Sequence, residues 1–361
     1  MTSVHDNNFD ALRFFGALLV LWGHTFTLTG GVPPATLAMS LNTLGVKIFF
    51  VISGFLIAKS WRSDPSVVRF AQRRALRVFP ALIGVVLFSA LIIGPLFTEL
   101  PLDQYFRHPH FWSYFQNIAL RIHYALPAVF TDTPIPHAVN GSLWTLPVEI
   151  VAYIAVPIVL SVTALLRRIP MSGAALLLSV TGAIIALDIW GRFQPVETQA
   201  SWTVYATNWL VSLQLVSYFF IGLCIAVLRL ERFMTYWMAL ALIVLAVVIP
   251  WRGMWAFLPA FFVIPVAVLA FSLSPRIALF DPLSRYGDLS YGLYLYAYPV
   301  QQAVSSVTGI THPTAHFALS AAITLVLAAG SWHLIEKQAL KLKPTKRSGP
   351  ARMPDLAAVP Y

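Results

Sequence analysis

The stretch from Phe9 to His24, FDALRFFGALLVLWGH, is apolar apart from an acidic and a basic residue near its start and a histidine at its end. On a helix with about 100° and 1.5 Å per residue, Arg13 and His24 share one face and lie about 16 Å apart along the axis. An ionisable side chain at the centre of a bilayer costs about 2.5–3.5 kcal/mol or more, so its presence points to a task. A buried, neutral imidazole can take the proton of a hydroxyl as a general base. The plainer reading of His24 is a hydrogen bond to a neighbouring helix.

Glu149 follows NGSLWTLPV at the start of another apolar run. At the level expected for His24 it can orient and charge-stabilise an imidazole, as carboxylates do in triad-type sites. Its alternative is a structural ion pair, for instance with Lys47. Arg74 and Arg77, three residues apart, are neighbours on one helix face, and guanidinium forks match phosphate oxygens. With Arg73 they also serve as topology determinants. Ser53, in the run SGF, permits a close approach by a helix or by a bound chain. The tyrosines Tyr291, Tyr294, Tyr296 and Tyr298 read mainly as aromatic packing. His333 and Glu336 close the last apolar run and are expected to reach water. His108 and His110 have metal-ligand spacing, but no carboxylate cluster follows, and no metal is expected.

These residues need a membrane scaffold. The 361 residues are 58% hydrophobic and 11% charged, against about 25% charged in soluble domains. An all-α polytopic bundle follows, because a span needs about 20 mostly apolar residues. About ten segments qualify: 11–30, 42–59, 79–98, 143–166, 171–190, 209–229, 234–250, 254–273, 288–307 and 316–336. With the N-terminus inside, nineteen of the 24 lysines and arginines fall on inner segments, four on outer ones, and Lys47 within the second span. That bias predicts an N-in, C-in topology. It also accounts for the net charge of +10 without a nucleic-acid partner.

The domain is expected over residues 1–340, with a disordered basic cytoplasmic tail over 341–361. No internal repeat is evident. The outer connection at about 99–142 is long and aromatic, the mark of a functional or disordered loop, and LDQYFRHPHFWSYF suits a membrane interface. The lone Cys224 excludes an internal disulfide. The first apolar run lacks a cleavage site and is expected to be retained.

Together the segments FDALRFFGALLVLWGH, GVKIFFVISGFLI, RRALRVFP, NGSLWTLPVEI, LSYGLYLYAYPV and HLIEK resemble, in order and spacing, the acyltransferase 3 family of integral-membrane O-acyltransferases. That family includes bacterial O-acetyltransferases of surface polysaccharides, nodulation factors and macrolides. No SGNH-type domain follows the last span, so the stand-alone form is expected. The resemblance implies that Arg13 and His24 match the family's first-span pair, Arg74 and Arg77 its R-x-x-R, and Glu149 its W-x-x-x-E glutamate. Two positions depart from it: Tyr298 stands where many relatives carry a histidine before the proline, and Gln338 replaces a proline after the closing IEK.

The expected activity is transfer of an acyl group, most simply acetyl from cytoplasmic acetyl-CoA, to a hydroxyl of a saccharide or glycolipid at the outer side of a bacterial inner membrane. Arg13, Arg74, Arg77 and Ser53 would hold the donor, and His24 and Glu149 would be catalytic, with His24 either removing the acceptor's proton for direct transfer or carrying the acyl group briefly as an acyl-imidazole. Membrane lipids surround the chain. The rival expectation is a proton-coupled transporter or flippase using His24 and Glu149; a membrane scaffold or sensor is a third.

Overall fold

The computed structural model describes residues 7–166, 172–249, 253–275, 277 and 287–344. The tail beyond residue 344 and the basic residues Arg167, Arg168, Arg252, Arg276 and Arg285 lie outside them.

The fold is a helical bundle. Its long helices are α1 (Phe9–Leu28), α2 (Leu41–Ser63), α3 (Val67–Phe88), α6 (Thr145–Leu165) and α7 (Ser172–Arg192), then α9 (Trp209–Val227), α12 (Ser290–Thr308) and α13 (Pro313–Ser331). Two shorter apolar helices are α10 (Tyr236–Val248) and α11 (Ala260–Leu273). The remaining helices, α4 (Leu102–Arg107), α5 (Pro109–Tyr114) and α8 (Val196–Ser201), lie in connections. Each of the ten expected segments falls on a helix. Seven helices among the described residues are long and apolar enough to cross a membrane. Of the other three, α10 and α11 have 13 and 14 residues, and α12 carries four tyrosines and two glutamines among its 19.

The centre of the bundle is the contact between α2 and α9. These are the most enclosed spans, 61% and 72% buried, against 22% for α7. A Cβ on Gly54 of α2 would stand 1.9 Å from the carbonyl oxygen of Phe219, and one on Gly222 of α9 would stand 2.3 Å from that of Val51. Only hydrogen fits at either position, so the two backbones touch directly, as small residues permit between membrane helices.

Those reciprocal contacts belong to an internal repeat offset by 168 residues, the separation of Gly54 and Gly222. A two-stranded hairpin, β1 (Ala35–Thr36) with β2 (Met39–Ser40), turns through Leu37 and Ala38 at φ 50° and 55° and leads into α2. A second, β3 (Thr203–Val204) with β4 (Thr207–Asn208), turns through Tyr205 and Ala206 at φ 54° and 56° and leads into α9. Paired left-handed residues are what a tight two-residue hairpin requires. The helices run in the same direction: Arg62, near the end of α2, donates to the Ala226 carbonyl near the end of α9, whereas Lys47 lies over the Tyr218 ring nearer their starts. The repeat is therefore parallel. The sequence makes no repeat evident, and the structure supplies a diverged one. From Ala35 to Ser63 only Ala38, Gly54, Ile57 and Ala58 recur at the offset, because the repeat is carried by backbone conformation.

The long connection is folded. Tyr105 and Tyr114 are completely buried, and the Tyr105 hydroxyl donates to the Ala90 carbonyl at 2.8 Å. The Asn117 side chain donates to the carbonyls of Tyr114 and His123 at 2.7 and 2.9 Å. His108 Nδ1 accepts the backbone N–H of His110, which makes the H-x-H pair a helix cap.

Candidate active site

The start of α1, the middle of α3, the residues leading into α12 and the π turn that follows α13 meet at one end of the bundle. Arg77 of α3 donates to Asp288, just before α12, at 2.6 Å, and stands 3.6 Å from Glu336. Arg13 of α1 is 3.1 Å from Asp10 and 3.6 Å from the same Asp288. Glu336 is buried, accepting from Ser331 at 3.1 Å. The expectation that it reaches water is corrected: the π-helical turn Trp332–Glu336 turns it inward, toward the Arg77 guanidinium.

Behind this cluster lies a cavity with about 770 Å³ of atom-free space, walled in part by Arg13, Ser53, Arg74, Arg77, Glu149 and Tyr153. The four residues expected to hold a donor are thus brought together with Glu149. Arg74 is unlike the other two arginines. It makes no ion pair among the described residues, its Nε lacks a hydrogen-bond partner, and its guanidinium lies 5.8 Å from the Tyr153 ring centre. Glu149 accepts hydrogen bonds from Tyr153 and, at 3.5 Å, from Ser53. An apolar groove on the outside, between α3 and α6, shares Arg74 and Tyr153 with this cavity.

His24 stands in a second cavity, toward the opposite end, with about 500 Å³ of atom-free space. The helices that build it are α1, the starts of α2, α6 and α9, and α12. Gly23 lets α2 approach this closely, since a Cβ there would lie 2.4 Å from the Asn42 nitrogen. The imidazole packs edge-on against Tyr298, ring centres 5.2 Å apart, and its Nδ1 has no hydrogen-bond partner.

Val46 and Tyr294 line both cavities and form the wall between them. The Tyr294 hydroxyl is 2.6 Å from the Thr145 hydroxyl and donates to the Ser142 carbonyl at 2.8 Å. The expected pairing of Glu149 with His24 is corrected. Trp144, the residue before α6, reaches the His24 cavity, and Glu149, the fifth residue of α6, is about 7.5 Å deeper, on the arginine side of the wall. The alternative pair of Glu149 with Lys47 is also absent, since Lys47 is buried with its Nζ 4.6 Å from the Tyr218 ring centre.

Residues 6–333 match the family model described as an acyltransferase domain, the acyltransferase 3 family. The chain belongs to that family. This acyltransferase is 27% identical to an O-acetyl transferase of Shigella phage Sf6, covering 96% of this chain and 99% of the relative. It is 30% identical to nodulation protein 10 of Rhizobium leguminosarum bv. viciae, covering 95% of each. It is 27% identical to a peptidoglycan O-acetyltransferase of Listeria monocytogenes, covering 81% of this chain and 50% of the relative. No solved structure matches.

Sequence reasoning missed several residues of the acyltransferase's cavities. Tyr153 is one turn beyond Glu149 and was legible as an i, i+4 partner. Tyr291 and Tyr294 read as packing, yet Tyr291 lines the arginine cavity and Tyr294 lines both. Nothing in their spacing singles out Asn42 and Gln214, which two different helices bring to His24. Among the described residues there is no cluster of three or more metal-binding side chains.

Proposed function

We propose that this acyltransferase moves an acetyl group from acetyl-CoA, held at the arginine end, to a hydroxyl of a saccharide or glycolipid that enters from the other end. The observation that carries this reading is the pair of cavities sharing the Val46 and Tyr294 wall, one bearing Arg13, Arg74 and Arg77 and the other His24. Arg74 has hydrogen-bonding capacity to spare and suits a phosphate oxygen. The pantetheine arm then passes Ser53 toward the wall, a climb on the order of the 16 Å between Arg13 and His24.

His24 takes the proton of the acceptor hydroxyl as its oxygen attacks the thioester carbonyl. The carbon–oxygen bond forms, the carbon–sulfur bond breaks, and CoA leaves as a thiolate that recovers the proton from the imidazolium. Glu149, bonded to Ser53 and Tyr153, offsets the arginine charge along the donor path and does not hold the imidazole. The name of the phage relative, an O-acetyl transferase, supports acetyl as the group moved.

The excess of lysine and arginine at one set of helix ends supports a cytoplasmic arginine end, with both termini inside a bacterial inner membrane. The parallel repeat is compatible with that topology. The reading is tested with purified protein in proteoliposomes, by following CoA release and acetylated glycoside together. Coupled appearance of both supports it; movement of the saccharide without CoA release overturns it in favour of a transporter.

A further inference from the structure

Three residues that line the cavity around His24 each carry a buried polar atom without a partner among the described residues: His24 Nδ1, Asn42 Oδ1 and Ser142 Oγ. Ser142 is only 2% exposed. Each unsatisfied buried group costs about 1–3 kcal/mol, and three of them on residues lining one space favour a ligand rich in hydroxyls. Gln214 and Thr43 add an amide and a further hydroxyl, and Trp144 adds an aromatic wall. No Lys, Arg, Asp or Glu among the described residues lines the cavity. A lipid tail would leave all three polar atoms unsatisfied. A carboxylate or phosphate would lose its hydration without meeting a countercharge.

We infer that this cavity is the acceptor subsite and that it takes an uncharged sugar ring, with hydroxyls bonded to Asn42, Ser142 and Gln214 and an apolar face against Trp144. The inference rests on the reading that a hydroxyl is acetylated beside His24. It makes the subsite selective against uronic acids and phosphosugars, and it assigns that selection to α2, α6 and α9.

The test uses the full-length protein, acetyl-CoA, and a panel of neutral methyl glycosides with their uronate counterparts. Neutral glycosides should be acetylated with kcat/KM at least about tenfold above the matching uronates. Gln214→Ala and Asn42→Ala should each raise the KM for the glycoside about tenfold, while the KM for acetyl-CoA moves less than about twofold. Thermal unfolding of each variant identifies any loss of fold, and Gln214→Glu, which keeps the volume, should lower use of neutral glycosides if Gln214→Ala proves unstable. Equal use of uronates and neutral glycosides overturns the inference, as does an unchanged acceptor KM in folded variants. If no glycoside of either kind is acetylated, the reading on which the inference rests fails with it.

Discussion

The hydroxyl of Tyr294 lies 2.6 Å from that of Thr145, and this contact pins the wall between the arginine cavity and the His24 cavity. In the proposed reaction donor and acceptor would meet where that wall yields, and the partition would keep water at the acceptor end from the thioester, as closed active sites do. Tyr294→Phe removes the hydroxyl and leaves the Thr145 hydroxyl and the Ser142 carbonyl only their 3.4 Å bond to each other, at about 1 kcal/mol. We expect hydrolysis of acetyl-CoA without acceptor to rise several-fold in the variant, read as CoA release in a glycoside-free assay. An unchanged rate contradicts the role of the wall.

Arg74 and Arg77 carry the same charge on the same helix but in different circumstances. Arg77 is engaged by Asp288 and Glu336. Removing it strands the buried Glu336 and leaves Asp288 with Arg13 alone as a countercharge, a loss of about 3 kcal/mol. Arg77→Ala should therefore lower the unfolding temperature in detergent. Adding Asp288→Asn should recover part of the loss, the signature of a coupled pair in a double-mutant cycle.

Arg74, by contrast, has no acidic partner within ion-pair distance among the described residues. Arg74→Ala should leave the unfolding temperature within a few degrees of wild type and raise the KM for acetyl-CoA about tenfold or more, the loss of one charge-assisted phosphate contact. The acceptor KM should stay nearly constant. Equal changes in both constants would place Arg74 in the scaffold instead.

Asp64, in the turn joining α2 to α3, accepts from Arg69 at 3.0 Å and from Arg73 at 2.6 Å. Those hydrogen bonds hold its carboxyl well below the usual carboxylate range. A group with a depressed folded pKa contributes its full stability above its unfolded value, about 3.9, and loses it as pH falls toward the folded value. Asp64→Asn should thus lower thermal stability at pH 6, with the gap to wild type closing as the pH is taken below about 4.

Much of this arrangement was legible before any coordinates. Arg13 and His24 declare a shared helix by their spacing, and Ser53, Arg74, Arg77 and Glu149 do line one cavity. What stayed hidden is physical in origin. The depth of Glu149 relative to His24 depends on where α6 begins, and Trp144 lies before its first residue. Asn42 and Gln214 are ordinary helix residues until α2 and α9 meet. That meeting depends on Gly54 and Gly222, whose absent side chains leave no apolar pattern to read. The tyrosines of α12 lower its hydropathy, and two of them, Tyr291 and Tyr294, line the cavities, so a helix that builds the site does not look like a membrane span.

The most direct test is a single-turnover experiment in proteoliposomes loaded with neutral glycoside, acetyl-CoA being added from the arginine side. Wild-type protein should form acetylated glycoside and CoA in equal amounts, and His24→Ala, folded by thermal unfolding, should lose the product by at least about a hundredfold, the share of a general base. Near-normal product from folded His24→Ala would contradict the account.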